Sequence, residues 1–320
     1  MQAVRVHEGG KLVYETVPDP VPGDGEVLVE LRCAGLNRRD SLVASGTYPF
    51  PLPLVPGSDG AGVRRDTGEE VVVYPGFGWP RGAEFPPEPV GILGGPRDGT
   101  YAELVALPAE NLFPRPARFS WEEAAAFPLA ALTAYRALFT RGRLQRGETV
   151  LVLGAGSGVS TFAVQLAAQA GARVLVTSSS DEKIERAREL GADAGVNYAT
   201  TPDWPAAVKE LGAVDVVLDS VGATWQQSLD CVRLGGRVVV FGATRGTEAQ
   251  LNVRPFYFGQ QSLLGTMLGG PDEMDGLLRM VVEGGWRPVI DSVRPLAEAP
   301  AALQRMVAGE HFGKLVLTCG

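Results

Sequence analysis

The sequence predicts an α/β protein in which a barrel-like β domain is followed by a doubly wound parallel sheet. Three observations carry that expectation. From residue 149 onward, apolar runs of strand length alternate with helical patterns, as in an open parallel sheet. Residues 1–115 instead hold short strand-like runs separated by turn clusters such as Pro18-Asp19-Pro20 and Pro22-Gly23-Asp24-Gly25. Between these regions, Glu148 to Lys183 places strand, glycine turn, helix and second strand within about 30 residues.

In chain order, strands are expected at Gln2–Val6, Glu26–Cys33, Glu70–Tyr74 and Tyr101–Ala106. Residues 76–98 are rich in Gly and Pro and read as a long surface lobe. Ser120-Trp121-Glu122-Glu123 has the spacing of a capping box ahead of an Ala-rich helix, and a second helix is expected around Leu132–Thr140. Further strands fall at Val150–Leu153, Arg173–Thr177, Ala194–Asn197, Val214–Leu218 and Arg237–Phe241, with Ser262–Met267 as one more. The intervening helices are Ser160–Ala170, Asp181–Leu190, Trp204–Leu211 and Thr224–Cys231. A helix at Pro271–Val282 and strand-like runs at Arg287–Arg294 and Lys314–Thr318 complete the tail.

The glycine turn reads Gly154-Ala155-Gly156-Ser157-Gly158-Val159-Ser160. It follows a Val/Leu run of the kind that is buried on both faces, and Gly171 ends the helix after it. A plain tight turn would explain the glycines but not the strands and helix that frame them. The combination is a dinucleotide-binding βαβ unit, with a pyrophosphate at the helix N-terminus.

A chain of 320 residues suggests two domains. No apolar run approaches the roughly 18 to 20 residues that span a bilayer. The N-terminus shows no secretory h-region, and the three cysteines lie far apart, so a reducing cytoplasm is the expected compartment. A net charge of −8 without a polybasic block argues against nucleic acid or anionic membrane as partners.

Several segments together resemble the medium-chain dehydrogenase/reductase superfamily, and within it the zinc-free quinone oxidoreductase branch. They are Ala34-Gly35-Leu36-Asn37-Arg38-Arg39-Asp40, Gly46-Thr47-Tyr48-Pro49 and Val55-Pro56-Gly57-Ser58-Asp59-Gly60-Ala61-Gly62. Asp98-Gly99-Thr100-Tyr101-Ala102-Glu103, Leu132-Thr133-Ala134, the glycine turn and Phe312-Gly313-Lys314-Leu315-Val316-Leu317 extend the match over nearly the whole chain. The resemblance implies a GroES-like β-barrel catalytic domain (1–119), a Rossmann coenzyme domain (120–268) and a return segment (269–320) that completes the first, with the active site in the cleft between domains. It also implies a homodimer joined edge to edge through Ser262–Met267.

In the zinc branch of that superfamily a Cys would stand at Asn37 and a His-Glu pair at Ser58-Asp59. The lobe at 76–98 lacks the four cysteines of a structural zinc site, and the only histidines, His7 and His311, read as solvated. No metal is expected.

An NAD-preferring unit places Asp or Glu at the end of its second strand. Here that strand runs into Ser178-Ser179-Ser180. In the resembling branch a small residue, a Lys and a Tyr at the spacing of Ser179, Lys183 and Tyr198 hold the 2′-phosphate, so NADP(H) is the expected coenzyme. The competing reading makes Ser179 and Glu182 a capping box and Lys183 solvated helix surface. The family's turn closes on glycine where Ser160 stands; serine there is expected to cap the helix and alter the pyrophosphate seat slightly.

With no metal, hydrogen-bond donors must meet the charge that builds on the substrate. Tyr48 resembles the proton-donating tyrosine proposed in related enoyl thioester reductases, and reads equally as a half-buried packing residue. By resemblance, Asn37 reaches the nicotinamide ribose and the substrate, and Thr133 meets the ribose or pyrophosphate. Gly242 lies at the carboxyl edge of the sheet, where the ligand crevice belongs. Arg39 and Asp40 read as a local ion pair. The implied activity is NADPH-dependent hydride transfer to a quinone or an α,β-unsaturated carbonyl compound. Reduction of aldehydes or enoyl thioesters, and a non-enzymatic NADPH-binding role, are the alternatives.

Overall fold

β1 (Gln2–Val6) pairs antiparallel with β2 (Leu12–Thr16), so Gln2 faces Thr16 and Val6 faces Leu12. The computed structural model describes all 320 residues. The ten-residue β3 (Glu26–Gly35) is the spine of the first sheet. It pairs antiparallel with β4 (Asp59–Arg64), and β5 (Glu70–Val73) follows on the far side of β4. Between β3 and β4 the chain makes α1 (Arg38–Ala44), which the sequence reading did not separate from its motif.

The lobe at 76–98 is not only surface. β6 (Gly76–Phe77) and β7 (Gly91–Ile92) form a small ribbon, and Trp79 and Leu93 are buried. β8 (Leu104–Pro108) starts later than expected, because Tyr101 and Ala102 pair with β1 instead of β3, Val4 N–H donating to Tyr101 O at 2.8 Å and Ala3 bridging Ala102. β9 (Leu112–Pro114) completes this edge against β5.

Ser120 caps α2 (Trp121–Ala126) as its spacing predicted. Its hydroxyl accepts from Glu123 N–H at 3.2 Å, and the Glu123 carboxylate accepts from Ser120 N–H at 2.9 Å. α3 (Pro128–Tyr135) begins four residues before the expected Leu132, on a proline whose missing N–H costs nothing in a first turn. It continues as a π-helical turn through Arg141.

β10 (Thr149–Leu153), α4 (Gly158–Gln169), β11 (Arg173–Ser178), α5 (Asp181–Glu189), β12 (Ala194–Asn197), α6 (Trp204–Leu211) and β13 (Val214–Asp219) follow close to expectation. α7 (Trp225–Cys231) leads into β14 (Val232–Val240), which starts five residues before the predicted Arg237 because its register shifts at the start of the ladder. α8 (Val253–Phe258) was not foreseen, and β15 stops at Gly265 (Ser262–Gly265). All neighbours in this six-stranded sheet are parallel, in the order β12-β11-β10-β13-β14-β15. The order reverses between β10 and β13, and doubly wound sheets bind ligands outside the carboxyl ends of strands at such a point.

The tail gives α9 (Pro271–Glu283), β16 (Ile290–Pro295), the unforeseen α10 (Ala299–Ala308) and β17 (Lys314–Thr318). β17 lies antiparallel to β3, with Val316 opposite Gly35, so the C-terminus closes the first sheet.

The chain divides into two compact units, Met1–Leu132 with Gly270–Gly320, and Thr133–Gly269. Residues 120–132, read from sequence as the start of the coenzyme domain, cluster with the first unit. Each unit has its own apolar core, one around Leu31, Val73 and Leu317, the other around Leu151, Val217 and Val238. Cys33, Cys231 and Cys319 are buried free thiols, and burial pushes the first two up to about 12. No helix is long and apolar enough to cross a membrane.

Candidate active site

The turn after β10 is built to leave backbone N–H groups open. Gly154 adopts φ +74°, a conformation that suits glycine, and Ala155 N–H donates to Thr177 O at 2.9 Å across to β11. Ser157 is the N-cap of α4, its hydroxyl accepting from Ser160 N–H at 3.1 Å. Gly158 and Val159, the first helical residues, then have N–H groups with no acceptor in their own helix, which suits an anion such as a pyrophosphate.

Ser160 is not the cap that the sequence suggested. It lies inside the first turn, fully buried, and its hydroxyl donates to Leu153 O at 3.1 Å. Where glycine would only allow close packing, this serine ties helix to strand.

At the ends of β11 and β12 the 2′-phosphate candidates come together. Asn197 is opposite Ser178, and Tyr198 N–H donates to Ser178 O at 3.0 Å, so Tyr198 begins beside the serine run. Ser179 and Tyr198 are exposed, and Lys183 lies in the first turn of α5. The cap of α5 is Ser180, whose hydroxyl accepts from Lys183 N–H at 3.3 Å; Ser179 is therefore not part of a capping box. The nearest carboxylate along the chain, Asp181, accepts from Asn197 Nδ2 at 2.8 Å.

Asp219, unremarked in the sequence, is fully buried at the end of β13. It accepts from Val221 N–H, Gly222 N–H, Thr224 Oγ1 and Ser228 Oγ at 2.7–3.2 Å, fixing the loop beyond the strand. Gly242 follows β14, and a Cβ there would come within 2.9 Å of Ser220 O, so only glycine lets the two strand ends approach. Thr133 is buried on α3.

The first unit holds the other group. Asn37 is 6% exposed; its Nδ2 donates to Asp59 Oδ2 at 2.8 Å and its Oδ1 accepts from Lys314 Nζ at 2.7 Å. Lys314, 2% exposed, also donates to Leu36 O at 2.6 Å and pairs with Asp59 Oδ2 at 3.2 Å. Asp59 Oδ1 accepts from Leu129 N–H at 2.7 Å. Burial raises the Asp59 carboxyl, while the Lys314 charge and the bonds from Asn37 and Leu129 oppose that rise.

Arg39 and Asp40 do not form the expected ion pair. Arg39 Nη1 donates to Ser58 Oγ at 2.9 Å and Leu93 O at 2.7 Å. Asp40 Oδ2 accepts from Asn37 N–H at 2.8 Å and Tyr101 Oη at 2.9 Å, while its Oδ1 is buried without a partner. Burial lifts Asp40 to about 6 despite the nearby Arg39 charge. Helical geometry sends consecutive side chains in different directions, which separates the two. Tyr48 stands on the loop after α1, 42% exposed, with its N–H bonded to Leu42 O; its hydroxyl has no partner in the chain. Its side chain is thus a little over half covered, as the packing reading expected, with an unbonded hydroxyl at its tip.

No group of three or more His, Cys, Asp or Glu side chains converges as a metal site. At the three positions where the zinc branch carries Cys, His and Glu, the chain has an amide, a hydroxyl and a carboxylate, all already bonded to Lys314 or Arg39. That donor set does not suit zinc, which takes thiolate, imidazole and carboxylate ligands. His7 is engaged by Glu15 at 2.7 Å instead of being merely solvated, and His311 has a buried Nδ1.

Lys314, Tyr101 and Asp219 were missed as side chains of this chemistry. Lys314 and Tyr101 did fall inside the quoted family segments, but nothing local distinguishes a lysine that will be buried.

Residues 23–117 match the family described as the alcohol dehydrogenase GroES-like domain, and residues 158–283 match the one described as zinc-binding dehydrogenase. A zinc-type alcohol dehydrogenase-like protein of Schizosaccharomyces pombe is 38% identical over 92% of this chain and 90% of its own length. The crystal structure of an NAD-dependent alcohol dehydrogenase is similar at 37% identity, covering 100% of both chains with a TM-score of 0.92. The quinone oxidoreductase from Thermus thermophilus, solved also as its complex with NADPH, is 32% identical over 99% of this chain and 100% of its own, with a TM-score of 0.84. With a GroES-like first unit and a Rossmann-type parallel sheet, the chain is an oxidoreductase that belongs to the medium-chain dehydrogenase/reductase superfamily.

Proposed function

We propose that this chain is a zinc-independent, NADPH-dependent oxidoreductase that directs hydride to a quinone or to the β-carbon of an α,β-unsaturated carbonyl compound. The observation that carries the reading is the bonding of Asn37 and Asp59 to Lys314, which leaves hydrogen-bond donors, not a Lewis acid, to meet the substrate. Preference for NADPH is supported by Ser179, Lys183 and Tyr198 around two adjacent strand ends, and by the engagement of Asp181, the nearest carboxylate along the chain, with Asn197. The quinone oxidoreductase with its NADPH complex supports the same choice, and the NAD-dependent alcohol dehydrogenase marks the competing one.

When bound, NADPH supplies the hydride. The residues suited to hold it are Gly154 to Val159 at the pyrophosphate, Thr133 and Asn37 toward the ribose of the nicotinamide, Gly242 at the sheet edge, and Ser179, Lys183 and Tyr198 at the 2′-phosphate. Asn37, oriented by its two buried partners, offers its second Nδ2–H to the acceptor. Tyr48 supplies the proton, its hydroxyl being exposed and uncommitted.

The test is oxidation of NADPH and NADH followed by absorbance over quinones, enones and aldehydes, after dialysis against a chelator. Turnover of quinones or enones with NADPH is expected. Zinc that survives dialysis and is required for turnover would overturn the reading, as would reduction confined to aldehydes. Coenzyme binding without any turnover would favour the non-enzymatic role.

The chain is also proposed to form a homodimer through β15, the open edge of the six-stranded sheet. Exposed Leu234, Val253, Tyr257 and Phe258, from β14 and α8, add apolar surface near that edge.

A further inference from the structure

The first unit's cluster holds two cations of different standing. Lys314 is neutralised by Asp59 at 3.2 Å, whereas Arg39 has no carboxylate within ion-pair distance. Both acceptors that Arg39 meets, Ser58 Oγ and Leu93 O, are neutral, and both are taken by the same nitrogen, Nη1. Its Nε and Nη2 meet no acceptor in the chain, and Arg39 as a whole is half-buried, neither sealed nor fully exposed. Ser58 is itself locked, donating its proton to Leu93 O at 2.8 Å. The guanidinium is therefore held by one corner, with its other donors unbonded and its charge uncompensated by a bonded anion. Partial burial makes such a charge attract an incoming anion more strongly than it would in water. Asp40, the adjacent carboxyl, takes Asn37 N–H and Tyr101 Oη on Oδ2, leaves Oδ1 unbonded, and acts on Arg39 only from beyond ion-pair distance. Burial lowers the Arg39 guanidinium, opposed first by Asp40 and then by Tyr48.

We propose that Arg39 is a catalytic residue whose Nε–H and Nη2–H groups bind the carbonyl oxygen of the acceptor and hold the negative charge that gathers there during reduction. The proposal rests on the quinone or enone reading above. The electron pair of the hydride forms the new C–H bond at the β-carbon. The C=C pair becomes the bond between α-carbon and carbonyl carbon, and the C=O pair moves onto the oxygen beside Arg39. A proton from Tyr48 or water then reaches the α-carbon and the carbonyl re-forms; the reductant, NADPH, leaves as NADP⁺. In the zinc branch a metal would polarise that oxygen, and here the guanidinium does so.

Arg39→Gln should lower kcat for 2-cyclohexenone or 1,4-benzoquinone about 100-fold while leaving the Kd for NADPH, measured by fluorescence, within about twofold. Guanidinium chloride at millimolar concentration should restore part of the rate to Arg39→Ala. Independently of turnover and of coenzyme, 4-nitrophenolate titrated by its absorbance shift should bind Arg39→Gln about tenfold more weakly than the parent. Should Gln prevent folding, Arg39→Lys keeps the charge but loses the fork, and a loss of about tenfold in kcat is expected. Unchanged kcat and unchanged nitrophenolate affinity in the folded variants overturn the proposal and leave the functional reading standing. If the parent reduces no quinone or enone, that reading fails, and the nitrophenolate titration alone decides: tenfold weaker binding supports the anion site, and equal binding overturns it.

Discussion

The ammonium of Lys314 lies 2.7 Å from the amide oxygen of Asn37, a contact between residues 277 positions apart. Because Lys314 also pairs with the fully buried Asp59, the Asn37 side chain is fixed by an ion pair sealed from water. Lys314→Met should therefore destabilise the fold by about 3–5 kcal/mol, since a carboxylate is left buried without its partner. Urea denaturation measures this, and Lys314→Met combined with Asp59→Asn should recover part of the loss. A single variant as stable as the parent would mean that the pair is not closed to solvent.

Asp40 gives a pH dependence of defined sign. Its carboxyl sits at about 6 in the folded chain against an ordinary value of 3.8, because burial disfavours the charged form. The stability it contributes is fully present below pH 4 and is lost as pH rises through about 6. Asp40→Asn keeps an acceptor for Asn37 and Tyr101 but cannot ionise. Relative to the parent, it should gain about 2.5 kcal/mol between pH 4 and pH 7.5. Parallel denaturant titrations at the two pH values check this, and identical pH slopes in the two proteins would refute it.

Lys183→Ala is expected to weaken NADPH binding by about 1.5–3 kcal/mol, the scale of a hydrogen bond to a charged group, and to leave NADH nearly unchanged. Fluorescence titration with both coenzymes measures the difference. Equal losses for both would remove Lys183 from the 2′-phosphate.

Ser160→Ala should cost about 1 kcal/mol of stability, because the buried hydroxyl that donates to Leu153 O is lost, along with its contact to Ser157 Oγ at 2.7 Å. Thermal unfolding is the measurement. No change in midpoint would show that this tie between helix and strand carries no net stability.

At the other end of the sheet, Leu264→Lys on β15 should yield a monomer by light scattering at micromolar concentration, since a charge on an open edge opposes strand pairing. A dimer that persists in this variant would place the interface elsewhere.

Whatever depended on neighbours in the chain was legible without the fold. The Val/Leu run of Thr149–Leu153, the glycine turn after it and the helix that follows are local patterns, and so is the Ser120–Glu123 capping box. Each forms because period, turn and cap act over a few residues. Resemblance of the quoted segments added the order of the two domains and the residues proposed to hold the coenzyme. The tertiary structure alone decided which charges lose water. Arg39 and Asp40 are adjacent, yet they bond to different partners; Lys314 and Asn37 are far apart, yet they touch. Burial and pairing depend on which strands meet, here β17 against β3, and no residue carries that information in its own neighbourhood.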